Sequence, residues 1–456
     1  MNLSNGPSNK INTGTSSLPP IITGALIRST IVAALGGLLF GFDTAVIAGT
    51  TRALSQVFAL TPQTLGVTVS SALWGTIAGC FFAGYAADRW GRRDSLRIMA
   101  VLYLVSALGC ALAWNWPTLL VFRILGGVGI GGSSVLGPMY IAEISPAAWR
   151  GRLVGVFQFN LVVGILLAYL SNFLISLRDL GAWEWRWQLG VAAIPSAIFL
   201  VLLLTIPRSP RWLVKKGRID EARKVLVAIG ERNVEGELVD IERSVTLEKG
   251  SNKDHLFSGA HRFPIFLAVF IMAFSQLSGI NAVLYYLNDI FTAAGFTKVS
   301  AGLQSVVIGF TNLTFTVLAV FLIDKVGRKL LLLIGSLGLA GTLTGITFIF
   351  ATGKHREYLL WLLVAYIASF AFSIGAVVWV YISEVFPNTV RAKGQSLGSL
   401  AHWVMNAILS GVFPALAARS GAVPFAFFAL MMVLQFFVVL FVFPETKNVA
   451  LEDANF

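Results

Sequence analysis

Cysteine is almost missing from this chain: only Cys80 and Cys110 occur in 456 residues, both inside apolar runs. That excludes a disulfide framework, and both are expected to be small packing residues. Histidine is nearly as scarce, with four residues. No His/Asp/Glu group has metal-ligand spacing, and no nucleophile arrangement or phosphate loop is present, so no enzyme, metal or cofactor is expected. Charge is the third shortage. Only 12% of residues are charged against 56% hydrophobic, and the mean hydropathy is +0.78. A soluble chain of this length could not wrap so much apolar surface in so little polar surface, which makes this a polytopic membrane protein. The formal net charge of +12 would suggest nucleic acid in a soluble domain. Here the bases gather in short loops between apolar runs, so the partner is the lipid bilayer and no nucleic acid is expected.

What is present is duplicated. Asp88-Arg89-Trp90-Gly91-Arg92-Arg93 returns in the second half as Asp324-Lys325-Val326-Gly327-Arg328-Lys329. Glu143 with Arg150 returns as Glu384 with Arg391, and IPRSPR at 206–211 is echoed by FPETKN at 443–448. Runs long enough to cross about 30 Å of hydrocarbon lie near 28–50, 65–87, 95–114, 117–140, 151–175 and 187–206. Six more follow, near 262–290, 301–323, 330–351, 359–383, 391–417 and 423–443. The expected fold is an all-α membrane protein, with twelve transmembrane helices in two pseudo-symmetric six-helix bundles. Its parts are a disordered cytosolic tail (1–27), a bundle (28–207), a cytosolic helical linker (208–261), a second bundle (262–443) and a cytosolic tail (444–456). Basic clusters follow the even-numbered runs, which places those loops and both termini in the cytoplasm. Trp114, Trp116, Trp183 and Trp185 in the alternate loops suit the interface. The expected location is the plasma membrane, the inner membrane if the cell is bacterial, and the expected state a monomer.

Helices in lipid associate through small residues at one-turn spacing. Ala33, Gly37, Gly41, Ala45 and Gly49 form one such stripe, Ser71, Gly75, Gly79 and Ala83 a second, and Gly127 with Gly131 a third. Polar residues inside the runs carry more information. Asp43 is the only deep carboxylate of the first half, and Arg123 is its natural counter-ion. A lone charge at that depth costs at least about 2.5 to 3.5 kcal/mol. An arginine moving near to and away from such a carboxylate would unload and load a proton; the alternative is a permanent ion pair. At the cytosolic helix ends, Asp88, Arg92, Glu143, Arg150, Asp324, Arg328, Glu384 and Arg391 could bridge helices and latch one state, or only fix topology by charge.

These residues carry a resemblance that covers nearly the whole chain. GGLLFGFDTAVIAG, DRWGRRDSL, RILGGVGIGG, YIAEISPAAWRGRL, QLSGINAVLYY, SEVFPNTVRAKGQS and PETK, in this order, resemble the sugar porter family of the major facilitator superfamily. The resemblance implies the major facilitator fold, a central sugar site and alternating access, in agreement with the parallel repeat. It also implies proton symport, because the family's hexose and pentose symporters carry Asp where Asp43 stands and its uniporters typically carry Asn. The expected function is uptake of a hexose such as glucose or a pentose such as xylose together with a proton. Left open are a sugar uniporter and a transporter of a polyol or inositol.

The same resemblance places sugar-binding groups at Gln158, Gln276, Asn281, Asn312, Trp379 and Trp403, amides and aromatic faces that suit hydroxyls and the C–H side of a ring. Phe40, one turn before Asp43, is placed to couple ring contact to the proton site. Tyr285 and Tyr286 match the family's extracellular gate. The chain departs from the pattern at Ser275, where a second Gln is common, and at His402, where Asn or Gln is common. Arg208 replaces a usual Glu, and no Pro follows Gly375, which predicts a softer break in the tenth helix. His402 is the only histidine inside a run; a sugar contact, a proton relay and a neutral hydrogen-bonding group are all open to it.

Overall fold

The structure, a computed structural model, describes residues 22–146, 148–250, 256–387 and 390–447. Among these residues the regular structure is entirely helical. Twelve helical segments are long and apolar enough to span a bilayer. Spans 1 to 6 are Gly24–Gly49, Pro62–Trp90, Arg92–Ala111, Trp116–Ile144, Arg150–Ser176 and Gly181–Leu202. Spans 7 to 12 are Arg262–Tyr285, Lys298–Ile323, Arg328–Thr352, Arg356–Glu384, Lys393–Arg419 and Ala422–Val442. The first helix starts before the expected boundary at 28, capped by Thr23, whose side chain accepts from the Leu26 N–H. Residues 1–21, 251–255 and 448–456 of the expected tails and linker lie outside the described residues.

Glycine decides which spans touch. A Cβ on Gly41 would meet the Leu161 carbonyl oxygen of span 5, and one on Gly164 would meet Leu38 in return. Cβ atoms on Gly127 and Gly131 of span 4 would collide with the Ala72 and Thr76 carbonyls of span 2. The small-residue stripes are therefore backbone-to-backbone seams, the contact available where no hydrophobic drive separates helix from lipid.

Two spans are interrupted. Span 7 breaks between Leu277 and Ile280, where Gly279 takes φ +85° and Tyr366 donates to the Ser278 carbonyl at 2.9 Å. Span 10 breaks at Ser373, although no proline stands there, and Ser373 Oγ donates back to the Ser369 carbonyl. Trp185 corrects an expectation. It is buried, not an interface anchor, with its ring 5.7 Å from Phe58 and the Arg186 guanidinium 4.3 Å from its centroid.

The linker helices Pro210–Lys215, Ile219–Ile229 and Val234–Gly250 mark one end of the molecule, here the linker end. The bundles meet at the opposite, far end. There a Cβ on Gly66 would strike Gly411, and Tyr169 donates to the Leu284 carbonyl at 2.8 Å. At the linker end the described ion pairs stay within one half. Arg92 binds Glu143 at 2.7 Å, Lys215 binds Asp88 at 2.9 Å and Arg328 binds Glu384 at 3.0 Å. The contacts named here between the bundles lie at the far end.

Candidate functional site

Two polar groups face each other across the centre of the molecule. The first lies inside bundle one. Arg123 Nη1 stands 3.4 Å from Asp43 Oδ2 and 3.5 Å from Oδ1, a loose pair, with the arginine side chain 4% exposed and the carboxylate 20% exposed. Arg123 Nε has no partner among the described residues. Tyr103, Ser106, Cys110 and Ser196 line the cavity around the pair, whose free volume of about 10 Å³ matches roughly one water. The polar walls are otherwise spoken for: Ser106 donates to the Phe122 carbonyl at 2.7 Å, and the Tyr103 and Ser133 hydroxyls are 2.8 Å apart.

The second group lies in bundle two, around the break in span 7. Asn281 Nδ2 donates to Gln276 Oε1 at 2.8 Å, and Gln276 Nε2 sits 3.2 Å from His402 Nδ1. Ser275 Oγ is 3.3 Å from the same ring nitrogen. The Trp379 and Trp403 rings lie 5.1 and 5.2 Å from the His402 ring. Trp379 is 40% exposed. The departures at Ser275 and His402 therefore touch: the shorter side chain on span 7 leaves room for the imidazole from span 11.

Phe40 joins the two groups. Its ring centroid is 5.5 Å from that of Trp403, the residue after His402, and Phe40 stands one turn before Asp43. Gln158 is exposed on span 5, on the helical line that continues through Val162 to Tyr169, which meets span 7. Asn312 is buried on span 8 with no hydrogen bond to the cluster. Tyr285 and Tyr286 are buried at the far end, where Asn406 Nδ2 donates to the Tyr285 hydroxyl at 3.3 Å and Tyr286 donates to the Ser410 carbonyl at 2.9 Å.

The charged loop residues are only partly brought together. Arg92 with Glu143 and Arg328 with Glu384 form matching bridges, and Asp88 lies 3.6 Å from Arg92. Among the described residues Arg150 and Arg391 pair with no carboxylate; their Nε atoms donate to the Ala142 and Phe386 carbonyls at 3.1 Å. Free carbonyls at helix ends are ready acceptors for such donors. The Asp324 side chain lies outside the described residues. Asn406 was missed by sequence reading, though it stands one turn after His402 on the same face. The Ser275 to His402 contact had no spacing signal to reveal it.

The family model described as "Sugar (and other) transporter" matches residues 29–456. The chain belongs to this sugar transporter family. It is 37% identical over 438 residues to the arabinose-proton symporter of Bacillus subtilis, covering 94% of each chain. It is 38% identical over 463 residues to the D-xylose-proton symporter of Escherichia coli, covering 93% of this chain and 94% of the relative. Among solved structures, the inward open conformation of the xylose transporter XylE from E. coli superposes with a TM-score of 0.84 at 37% identity, covering 94% of this chain and 99% of that one. The proton:xylose symporter XylE bound to 6-bromo-6-deoxy-D-glucose gives 0.77 over 94% and 98%. The agreement is better with the inward open structure than with the ligand-bound one. The major facilitator fold is therefore the fold of this chain.

Proposed function

We propose that the protein carries a monosaccharide, a hexose or a pentose, into the cell together with a proton. The observation that carries this reading is the loose, enclosed Asp43 to Arg123 pair, one turn from a ring that touches the second bundle's polar cluster. The names of the symporter relatives support it. The linker end is cytoplasmic and carries both termini, and the protein works as a monomer in the plasma membrane.

The residues divide the work as follows. From outside, Asp43 takes a proton while Arg123 stands away, and sugar binds among Gln158, Gln276, Asn281, Asn312, Trp379, His402 and Trp403. Amides and the imidazole exchange hydrogen bonds with hydroxyls, and the indoles cover the C–H face. Phe40 links occupancy to the Asp43 side. The far end closes over Tyr285 and Tyr286, the linker end opens, and sugar leaves inward. Arg123 then approaches Asp43 and displaces the proton, since a neighbouring cation favours the carboxylate. The Arg92–Glu143 and Arg328–Glu384 bridges brace the helix ends on which the linker end opens and shuts, and Asp88, Arg150, Asp324 and Arg391 belong to the same charged set. One proton crossing 100 mV supplies about 2.3 kcal/mol and one pH unit about 1.36 kcal/mol, enough for a sugar gradient of about 500-fold at perfect coupling.

The test is uptake of labelled glucose and xylose into sealed proteoliposomes, with and without an inward proton gradient. The parent should accumulate sugar against its gradient, and Asp43→Asn should keep sugar exchange while losing accumulation. Parent protein that only equilibrates sugar, whatever the proton gradient, would be a uniporter with a structural Asp43 to Arg123 pair.

A further inference from the structure

The two halves repeat one linker-end device and differ at one position of it. In the second half Thr446 Oγ1 donates to the Glu384 carboxylate at 2.6 Å, beside Arg328. The preceding Glu445 accepts the backbone N–H groups of Arg328 and Lys329, each at 3.0 Å, and so caps the start of span 9. In the first half Ser209 donates to Glu143 beside Arg92, but the residue before it is Arg208. A guanidinium has no acceptor and cannot cap a helix start. Arg208 turns to Asp94 instead, with Nη2 and Nε 2.9 and 3.2 Å from Oδ2. The other oxygen of Asp94 accepts Arg93 Nε and Arg97 Nη1, both at 2.9 Å.

Three guanidiniums thus share one carboxylate, which leaves the cluster with surplus positive charge. The Leu203 carbonyl accepts two more Arg97 donors and the Ile206 carbonyl accepts Arg93 Nη1. Arg93 Nη2 and Arg208 Nη1 are left with no acceptor among the described residues. The cluster sits at the linker-side ends of spans 3 and 6, and exposed apolar side chains lie beside it: Ile98 and Val101 on span 3, Val201 on span 6 and Leu204 just after it. Trp212 closes its inner side, with the Arg208 guanidinium 5.4 Å from the indole centroid.

We propose that Arg93, Arg97 and Arg208 form a binding site for the phosphate of an anionic lipid headgroup, whose acyl chains lie along the Ile98, Val101, Val201 and Leu204 surface. Guanidinium groups suit phosphate in number and planarity of donors, and a basic pocket between helix ends at the membrane surface meets lipid phosphates at their own depth. A free phosphate would satisfy the charge but not the apolar border. The reversal at Arg208 then gives the first half a lipid contact where the second half has the Glu445 cap.

Native mass spectrometry of the purified full chain, titrated with dioctanoyl phosphatidylglycerol, dioctanoyl phosphatidylcholine or inorganic phosphate, reads the site directly. The parent should hold phosphatidylglycerol at least about fivefold more tightly than phosphatidylcholine. Arg208→Gln should weaken phosphatidylglycerol by about fivefold, as expected for one basic side chain at an anionic surface, and leave phosphatidylcholine unchanged. Equal affinity for the two lipids overturns the proposal, and that comparison needs no variant. An Arg208→Gln protein that melts as the parent does yet binds phosphatidylglycerol equally well also overturns it. Displacement of the lipid by millimolar inorganic phosphate would assign the cluster to a free anion, against the lipid reading.

Discussion

Glu184 of the first bundle and Lys298 of the second are paired across the boundary between the bundles at 2.5 Å, at the far end. The carboxylate is 6% exposed, and Gln188 Nε2 donates to its other oxygen at 3.0 Å. The pair must separate whenever the far end opens. Removing one partner of a buried pair costs about 3–5 kcal/mol; because Lys298 is 60% exposed, water screens it and about 1–2 kcal/mol is expected. Lys298→Gln should therefore raise the far-open population about five- to thirtyfold. Spin labels at Trp114→Cys and Lys354→Cys, with Cys80 and Cys110 replaced by Ala, would show this as a longer-distance component. Identical distance distributions in parent and variant would rule the latch out.

The contact between Ser275 and His402 predicts that the two act as a unit. Ser275→Gln alone should crowd the imidazole and His402→Gln alone should leave a gap, each weakening sugar binding. The double variant should recover part of the loss, with a coupling of about 0.5–3 kcal/mol. Binding titrations with glucose and xylose on all four proteins complete the cycle, and strictly additive losses would show the two sites to be independent.

Gly41→Ala should destabilise the first bundle by about 1–3 kcal/mol, the cost of overpacking a tight contact, because the new methyl meets the Leu161 carbonyl oxygen. Gly84→Ala, with open space around it, is the control. Thermal melting in detergent distinguishes them; equal melting temperatures would contradict a backbone seam at Gly41.

Asp289 gives the far end a dependence on pH. Burial pushes its carboxyl up to about 6, with the Thr51 hydroxyl and the Arg52 charge offsetting only part. Its Oδ2 has no partner among the described residues, and it borders a cavity of about 260 Å³ lined by Leu65, Tyr286, Phe413 and Pro414. A carboxyl with a raised pKa holds its proton better in the closed arrangement than in water. Its contribution to the closed form is full below about pH 4 and is lost as pH rises through about 6. Between those values the parent should lose more melting temperature than Asp289→Asn. Parallel curves would show that Asp289 does not titrate in this window.

The spans were legible because each must be a long apolar run, and the seams because close backbones demand glycine at one-turn spacing. The Asp43 to Arg123 pair was legible for a related reason: two lone charges inside hydrocarbon have few other partners. The Glu184 to Lys298 bridge was not, since each residue lies near a helix end where charge is ordinary and nothing in their spacing links distant bundles. The break at Gly279 was hidden among the many glycines that serve packing, and only its φ sets it apart. Trp185 had the composition of an interface anchor, and its burial depends on Phe58 and Arg186 meeting it in three dimensions.

The hydrogen bond from Asn281 to Gln276 spans the interruption at Gly279. The two amides act as a splint across the joint in span 7, fastened while they hold each other. A hydroxyl entering between them would unfasten that splint and take its place, so the joint's stiffness would depend on what occupies it. A sugar of different hydroxyl geometry would set the joint at a different angle, and selectivity would then be felt in how fast the helix bends as well as in how tightly the sugar is held.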